Sequence, residues 1–180
     1  MELESKRLRL AELGLDDIEA IHQLFCLPEI DEFNTLGIPD SIEKTRAIVQ
    51  PMIDAQKTKN RKLYAWKIVK KASGELIGLA SITLSANRFK LGEITYELFP
   101  SHWGEGYATE TAKTLIKTGF DVFHLHKIEA GVATENVRSI GVLEKAGMTR
   151  EGLRRKILPI RGEWKDSYLY AIVEDDPRGF

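Results

Sequence analysis

The sequence predicts an α/β fold: a mixed, mostly antiparallel central sheet of about seven strands with helices on both faces. Three observations predict it. The strand-like stretches 62–70, 75–84 and 93–99 follow one another through short turns, so they run antiparallel. The stretches 93–99 and 127–133 are joined through a helical pattern, so that pair is parallel. Apolar residues recur at helical spacing before, between and after these strands, which gives the sheet its covers. With 180 residues, the chain is long enough for one substantial core and too short for two ordinary ones. No repeat, low-complexity tract or linker divides it, so residues 1–180 are read as one domain.

The elements follow in order. Residues 6–12, KRLRLAE, alternate and turn Leu8 and Leu10 inward. Asp16 is the expected N-cap of a short helix carrying Ile18, Ile21, Leu24 and Phe25, which Pro28 ends. Residues 28–40 read as a loop with acids at Glu29, Asp31 and Glu32. Its apolar Ile30, Phe33, Leu36 and Ile38 make it fold over something. Ser41 opens a second helix through Thr45, Ile48, Val49, Met52 and Ile53, and Pro51 should kink it. Three strands come next, with Gly78 inside the second and a turn at Asn87. In the third, Glu93, Thr95, Glu97 and Phe99 share one face, and Ile94, Tyr96 and Leu98 the other. Pro100 stops it. A long helix runs from Ala108 through Ala112, Leu115, Ile116, Gly119, Phe120 and Phe123. After the strand 127–133, Asn136 caps a helix that turns Val137, Ile140, Leu143 and Ala146 inward, and Gly147 ends it. Strands 148–158 and 164–173 close the chain around a turn at 160–163.

Composition excludes several functions. A net charge of −1 provides no field for nucleic acid or an anionic membrane. The single cysteine, Cys26, cannot form an internal disulfide and is read as packing, which fits a reducing compartment. MELESKRLRL is not a signal peptide, and no segment reaches membrane-span length, so a cytoplasmic protein is expected. His124 and His126 form an H-x-H pair without a third ligand, so no metal site is expected. Arg154, Arg155 and Lys156 read as a solvated strand edge that discourages aggregation.

Trp103 to Thr109 carries the chemistry. Gly104 and Gly106 permit backbone shapes that a Cβ forbids, and a helix begins directly after them. The first turn of a helix has unpartnered N–H groups and about half a positive charge. Together they make an anion cradle that needs no lysine. A glycine turn before a helix is by itself better explained by a simple connection.

Three motifs in order narrow the reading. The first is Trp103-Gly104-Glu105-Gly106-Tyr107-Ala108, followed by Thr109-Glu110. The second is Asn136-Val137-Arg138-Ser139, and the third is the hairpin from Arg161 to Tyr170. Together they resemble the GNAT superfamily of N-acetyltransferases, over roughly residues 6–173. The general pattern of that family has Gln or Arg where Trp103 stands; the W-G-x-G-Y-A-T-E form is similar to its RimJ/RimL-like branch. That branch acts on ribosomal proteins and small amines.

The resemblance implies acetyl-CoA as co-substrate and a primary amine as acceptor, with a homodimer as a common assembly of the branch. It implies that Trp103, Gly104, Glu105, Gly106, Tyr107, Ala108 and Thr109 hold the pyrophosphate. Backbone N–H groups near Leu98 and Phe99 would bond the thioester carbonyl. Asn136 would hold the pantetheine arm, and Ser139 would lie near the sulfur. The amine must lose a proton before it attacks, and Glu97 is the first choice of base, with Glu93 second. The two lie about 13 Å apart along an ideal strand, too far to share a proton. Asp31, Glu32 and Glu29 are the alternative attraction for a cationic acceptor. The bland readings stand beside these: exposed acids on a sheet face, a helix cap at Asn136, and an ordinary serine at 139. A non-catalytic acyl-CoA-binding or regulatory module is the alternative from another class.

Overall fold

The computed structural model describes residues 1–180. Eight strands form one sheet in the order β1-β2-β3-β4-β5-β6-β8-β7. They are β1 (Leu3–Glu4), β2 (Leu8–Glu12), β3 (Leu63–Lys70), β4 (Leu76–Leu84), β5 (Leu91–Leu98), β6 (Lys127–Ala133), β7 (Thr149–Ile160) and β8 (Glu163–Val173). The helices are α1 (Ile18–Phe25), α2 (Pro28–Asp31), α3 (Ile42–Ala55), α4 (Tyr107–Asp121) and α5 (Val137–Lys145). Every neighbouring pair is antiparallel except β5 and β6, as the connections require. The eighth strand is β1, whose two residues are too few to show an alternation.

The sheet separates two apolar layers, because its side chains alternate between faces. On one face Leu8, Leu10, Trp66, Ile68 and Ile94 pack under Leu115, Ile116 and Phe120 of α4 and Leu143 of α5. On the other, Ala65 and Leu79 pack under Ile18, Ile21, Leu24 and Phe25 of α1 and Val49 of α3. Leu115 and Ile116 are fully buried, which stabilises the α4 layer by roughly 1.5–3 kcal/mol for each side chain.

Several local expectations are corrected. Asp16 does not cap α1. A 3-10 turn, Leu15–Asp17, precedes the helix, and Asp17 accepts a hydrogen bond from Gly14 N–H at 2.8 Å. The Asp17 carboxylate also meets Lys67 Nζ at 2.7 Å, which joins this turn to the sheet. Pro28 starts a helical turn after ending α1, since the first helical position needs no N–H. Part of the supposed loop is therefore α2. Ser41 caps α3 by accepting from Lys44 N–H, and the helix runs through Pro51 to Ala55. Pro51 and Ala47 are both exposed, so water can meet the carbonyl that the proline leaves unpaired. Val137 is 73 % exposed instead of inward, because it lies on the open side of the first turn of α5.

Candidate active site

The parallel pair is short. β5 and β6 share only three rungs, Leu91↔Lys127, Gly92↔Ile128 and Glu93↔Glu129. Beyond them β5 stays with β4 as far as Leu98↔Gly78, and β6 stays with β8 as far as Ala133↔Ser167. The two strands therefore part after Glu93, and an opening forms toward their C-terminal ends. Gly78 helps to hold β5 away. A Cβ at that position would stand 2.1 Å from the Glu97 carbonyl oxygen, so only glycine lets β5 lie this close to β4.

Hydrogen-bond phase decides which backbone groups face the opening. Phe99 N–H donates to Ile77 O at 2.9 Å. By antiparallel alternation Glu93, Thr95 and Glu97 also bond β4, while Ile94, Tyr96 and Leu98 turn their backbone groups toward β6. The expectation for the thioester carbonyl is corrected accordingly: the Phe99 N–H is already engaged, and Leu98 N–H is the one that faces the gap. Leu98 C=O accepts from Trp103 Nε1 at 2.8 Å, and the Arg138 guanidinium lies 4.8 Å from a Trp103 ring centre. Trp103 thus locks the end of β5 to the glycine loop.

The loop leads directly into α4. Gly104 and Gly106 have φ of +82° and +78°, the left-handed region that glycine enters without strain. The first helical bond runs from Glu110 N–H to Gly106 O at 3.0 Å, and the N–H groups of residues 104–109 meet no acceptor in the protein. Nothing lies within 4 Å of the place where a Gly104 Cβ would be, so open space adjoins the loop. Such a cradle fits a pyrophosphate, and Gly104 to Thr109 are the residues that could hold one.

This loop is anchored from the other end of the sheet. Glu110 Oε1 accepts from Arg7 N–H at 2.7 Å and from Ser5 Oγ at 2.7 Å, and its Oε2 accepts from Arg7 Nε at 2.6 Å. Arg7 Nη1 also donates to Glu105 O at 2.9 Å, and its guanidinium lies 4.4 Å from the Tyr107 ring centre. Burial works against ionisation of Glu110, but these hydrogen bonds outweigh it and hold the carboxyl below its ordinary range.

The two faces of β5 carry different groups at the opening. Tyr96 packs on the α4 and α5 side, and its hydroxyl lies 3.0 Å from Ser139 Oγ. Burial pushes its phenol up to about 12, against the hydrogen bond with Ser139. Asn136 Oδ1 accepts from Ser139 N–H at 3.1 Å, which caps α5 and leaves the Asn136 amide nitrogen unengaged. On the other face, Glu97 is half-buried, and Asn34 Nδ2 donates to its Oε1 at 2.7 Å. Burial pushes the Glu97 carboxyl up to about 7, and no cation pairs with it. Glu93 is exposed on the last shared rung, where the strands have not yet parted.

The acids after α1 are divided. Asp31 accepts from Arg161 Nε at 2.7 Å, and Arg161 Nη2 reaches Pro28 O at 2.9 Å, so the β7–β8 turn is tied to α2. Its charge is matched, which corrects its reading as an attraction for a cation. Glu29 and Glu32 are exposed. Elsewhere, His126 Nδ1 lies 2.8 Å from Glu174 Oε1, and Arg154 lies 3.7 Å from Glu129. Sequence reasoning missed Tyr96, Asn34, Arg7 and Glu110. A polar-tipped aromatic on the inward face of β5 was a signal for Tyr96. The Arg7–Glu110 pair, 103 residues apart, had none.

A mixed sheet that opens between two parallel strands, with unpartnered helix N–H groups beside the opening, is an arrangement suited to a phosphate-bearing ligand. Residues 7–149 match the model of the acetyltransferase (GNAT) domain. The chain is 31 % identical to the uncharacterized N-acetyltransferase YoaA of Bacillus subtilis over 172 residues, 96 % of each chain. The crystal structure of a GNAT-family acetyltransferase from Bacillus anthracis superposes with a TM-score of 0.84 at 30 % identity, covering 98 % of this chain and 100 % of that one. Spermidine N-acetyltransferase from Vibrio cholerae, solved with CoA and spermine, has the same fold: its TM-score is 0.82 at 22 % identity, over 96 % and 98 % of the two chains. The chain belongs to the GNAT family and is an acetyltransferase.

Proposed function

We propose that this chain is a RimJ/RimL-like N-acetyltransferase that moves the acetyl group of acetyl-CoA to a primary amine, either a protein N-terminus or a small amine, by direct attack. The observation that carries the reading is the placement of Glu97. It is a half-buried carboxylate without a cationic partner, at the opening between β5 and β6, with its carboxyl raised to about 7. A base with that value is poised to take a proton from an ammonium at neutral pH. Acetyl-CoA, when bound, supplies an acetyl group activated as a thioester.

This chain's residues do the rest. The N–H groups of Gly104 to Thr109 hold the pyrophosphate, and the Asn136 amide orients the pantetheine arm. Leu98 N–H donates to the thioester carbonyl, where negative charge grows during attack. Glu97 accepts the amine proton directly or through water, and Asn34 fixes its orientation. Ser139 donates a hydrogen bond to the departing sulfur. Glu93, exposed and at the foot of the opening, has no part in this reading.

The test is free-thiol release from acetyl-CoA against N-terminal peptides, spermidine and free amino acids, with mass detection of product. Acceptor-dependent CoA release with a matching acetylated amine is the expected result. Failure of acetyl-CoA to bind in calorimetry would end the reading at its first step.

A further inference from the structure

We infer that Tyr96 is a positioning residue for Ser139: its hydroxyl donates to Ser139 Oγ and thereby turns the serine proton into the opening, toward the thiol end of a bound CoA. This rests on the acetyl-CoA reading above and assigns one of its groups a partner. The argument is a count of protons and acceptors. Each hydroxyl has one proton to donate and two lone pairs. Ser139 Oγ makes one hydrogen bond in the protein, with Tyr96 at 3.0 Å. Tyr96 has one alternative acceptor, Ser139 O at 3.5 Å, which is long and which the helical ladder assigns to Leu143 N–H. The pair thus holds two protons and one good acceptor contact, so one proton has no acceptor in the protein.

Chemistry decides which proton that is. A phenol is a far stronger hydrogen-bond donor than an aliphatic alcohol, so Tyr96 donates and Ser139 receives. Burial keeps the phenol protonated across the working range, so the donor is never lost. Ser139 then has its proton free on the side away from Tyr96, and a hydroxyl that accepts is polarised into a better donor. Geometry puts this pair where it is needed. Tyr96 lies beyond Glu93, the last rung shared with β6, and Ser139 lies on the first turn of α5, which follows β6. The tyrosine therefore joins β5 to the start of α5 where the strands have parted. No proton is transferred in this step; the serine donates a hydrogen bond to sulfur as its negative charge grows.

The test compares the binding of CoA and dethio-CoA, which lacks the thiol, by calorimetry as pH rises through the ionisation of the thiol. The wild-type protein is expected to favour CoA increasingly as the thiolate forms. Ser139→Ala is expected to abolish that preference, and Tyr96→Phe to reduce it about threefold to tenfold. Tyr96→Phe is expected to cost nothing more in a Ser139→Ala background. A preference that survives Ser139→Ala and is then lost with Tyr96→Phe, or one untouched by Tyr96→Phe, overturns the inference. A wild-type protein that binds both compounds without a pH-dependent preference also overturns it and leaves the acetyl-CoA reading standing. Failure to bind either compound removes both. Should Tyr96→Phe fail to fold, 3-fluorotyrosine at position 96 keeps the shape and strengthens the donor. A preference equal to or above wild type is then expected, and a loss refutes the inference.

Discussion

Replacing Glu97 by Gln separates the chemical role of this carboxyl from its place in the fold. Its ordinary value is 4.5, and burial raises it to about 7. At 1.36 kcal/mol for each tenfold change, keeping the ionised form inside the protein costs at most about 3 kcal/mol. The sign follows from proton binding. Between pH 4.5 and 7 the unfolded chain has lost this proton and the folded chain keeps it, so stability falls as pH rises through that window. Gln is neutral throughout and can still accept from Asn34 through Oε1. Glu97→Gln is therefore expected to match wild type near pH 4.5 and to exceed it by about 2–3 kcal/mol above pH 8. Urea unfolding followed by tryptophan fluorescence at several pH values measures this difference. The rate moves in the opposite direction. A base must be ionised, so wild-type kcat/KM is expected to rise through about pH 7, and Glu97→Gln to lose that rise with roughly a hundredfold drop or more. A variant both more stable and less active at high pH is the signature. A stability difference that stays flat between pH 5 and 8 would refute the burial argument. A rate within twofold of wild type would refute the role as base.

Other expectations follow from the same geometry. Asn34→Ala removes the one donor on Glu97, so the inflection in kcat/KM is expected to move above 7; an unchanged profile would mean that the amide does not reach the ionised carboxylate. Gly104→Ala puts a Cβ into a left-handed residue facing open space. It is expected to cost about 1–2 kcal/mol of stability and to weaken CoA binding beyond that, as calorimetry would read. Gly78→Ala drives a Cβ onto the Glu97 carbonyl, so β5 must move toward β6. Stability is expected to fall by about 1–3 kcal/mol in urea, together with CoA affinity. Glu110→Gln loosens the Arg7 clamp and is expected to cost about 1–2 kcal/mol at neutral pH. Because the Glu110 value is depressed, its contribution is present above 4.5 and fades as pH falls through the folded value, so the variant and wild type should converge in acid.

The layout of the sheet was legible in the sequence because it rests on local patterns. Alternation between Glu93 and Phe99 and helical spacing from Ala108 to Phe123 are set within a few residues, and short turns against a helical crossover decide antiparallel from parallel. Local signals failed where a neighbour in space decided the outcome. Asp16 has the right chemistry to cap α1, but Lys67 on β3 holds the turn at Asp17. Pro28 has the look of a stop, and Arg161, 133 residues away, anchors the helical turn that it begins. The motifs named the candidate residues, since Gly104, Gly106, Asn136 and Ser139 stand in fixed order along the chain.

By itself the sequence determined the mixed α/β sheet, the glycine turn at the start of α4, and the family resemblance, all of which depend on order and spacing. Only the tertiary structure decided which groups face one another. It set the parting of β5 from β6 after Glu93 and the engagement of Phe99 N–H by Ile77. It also split β5 into a face where Tyr96 meets Ser139 and a face where Asn34 meets Glu97. The physical reason is that an ionisation state or a free hydrogen-bond donor belongs to an environment. The loss of water around Glu97 and the meeting of Tyr96 with Ser139 come from segments far apart in the chain, and no local pattern records them.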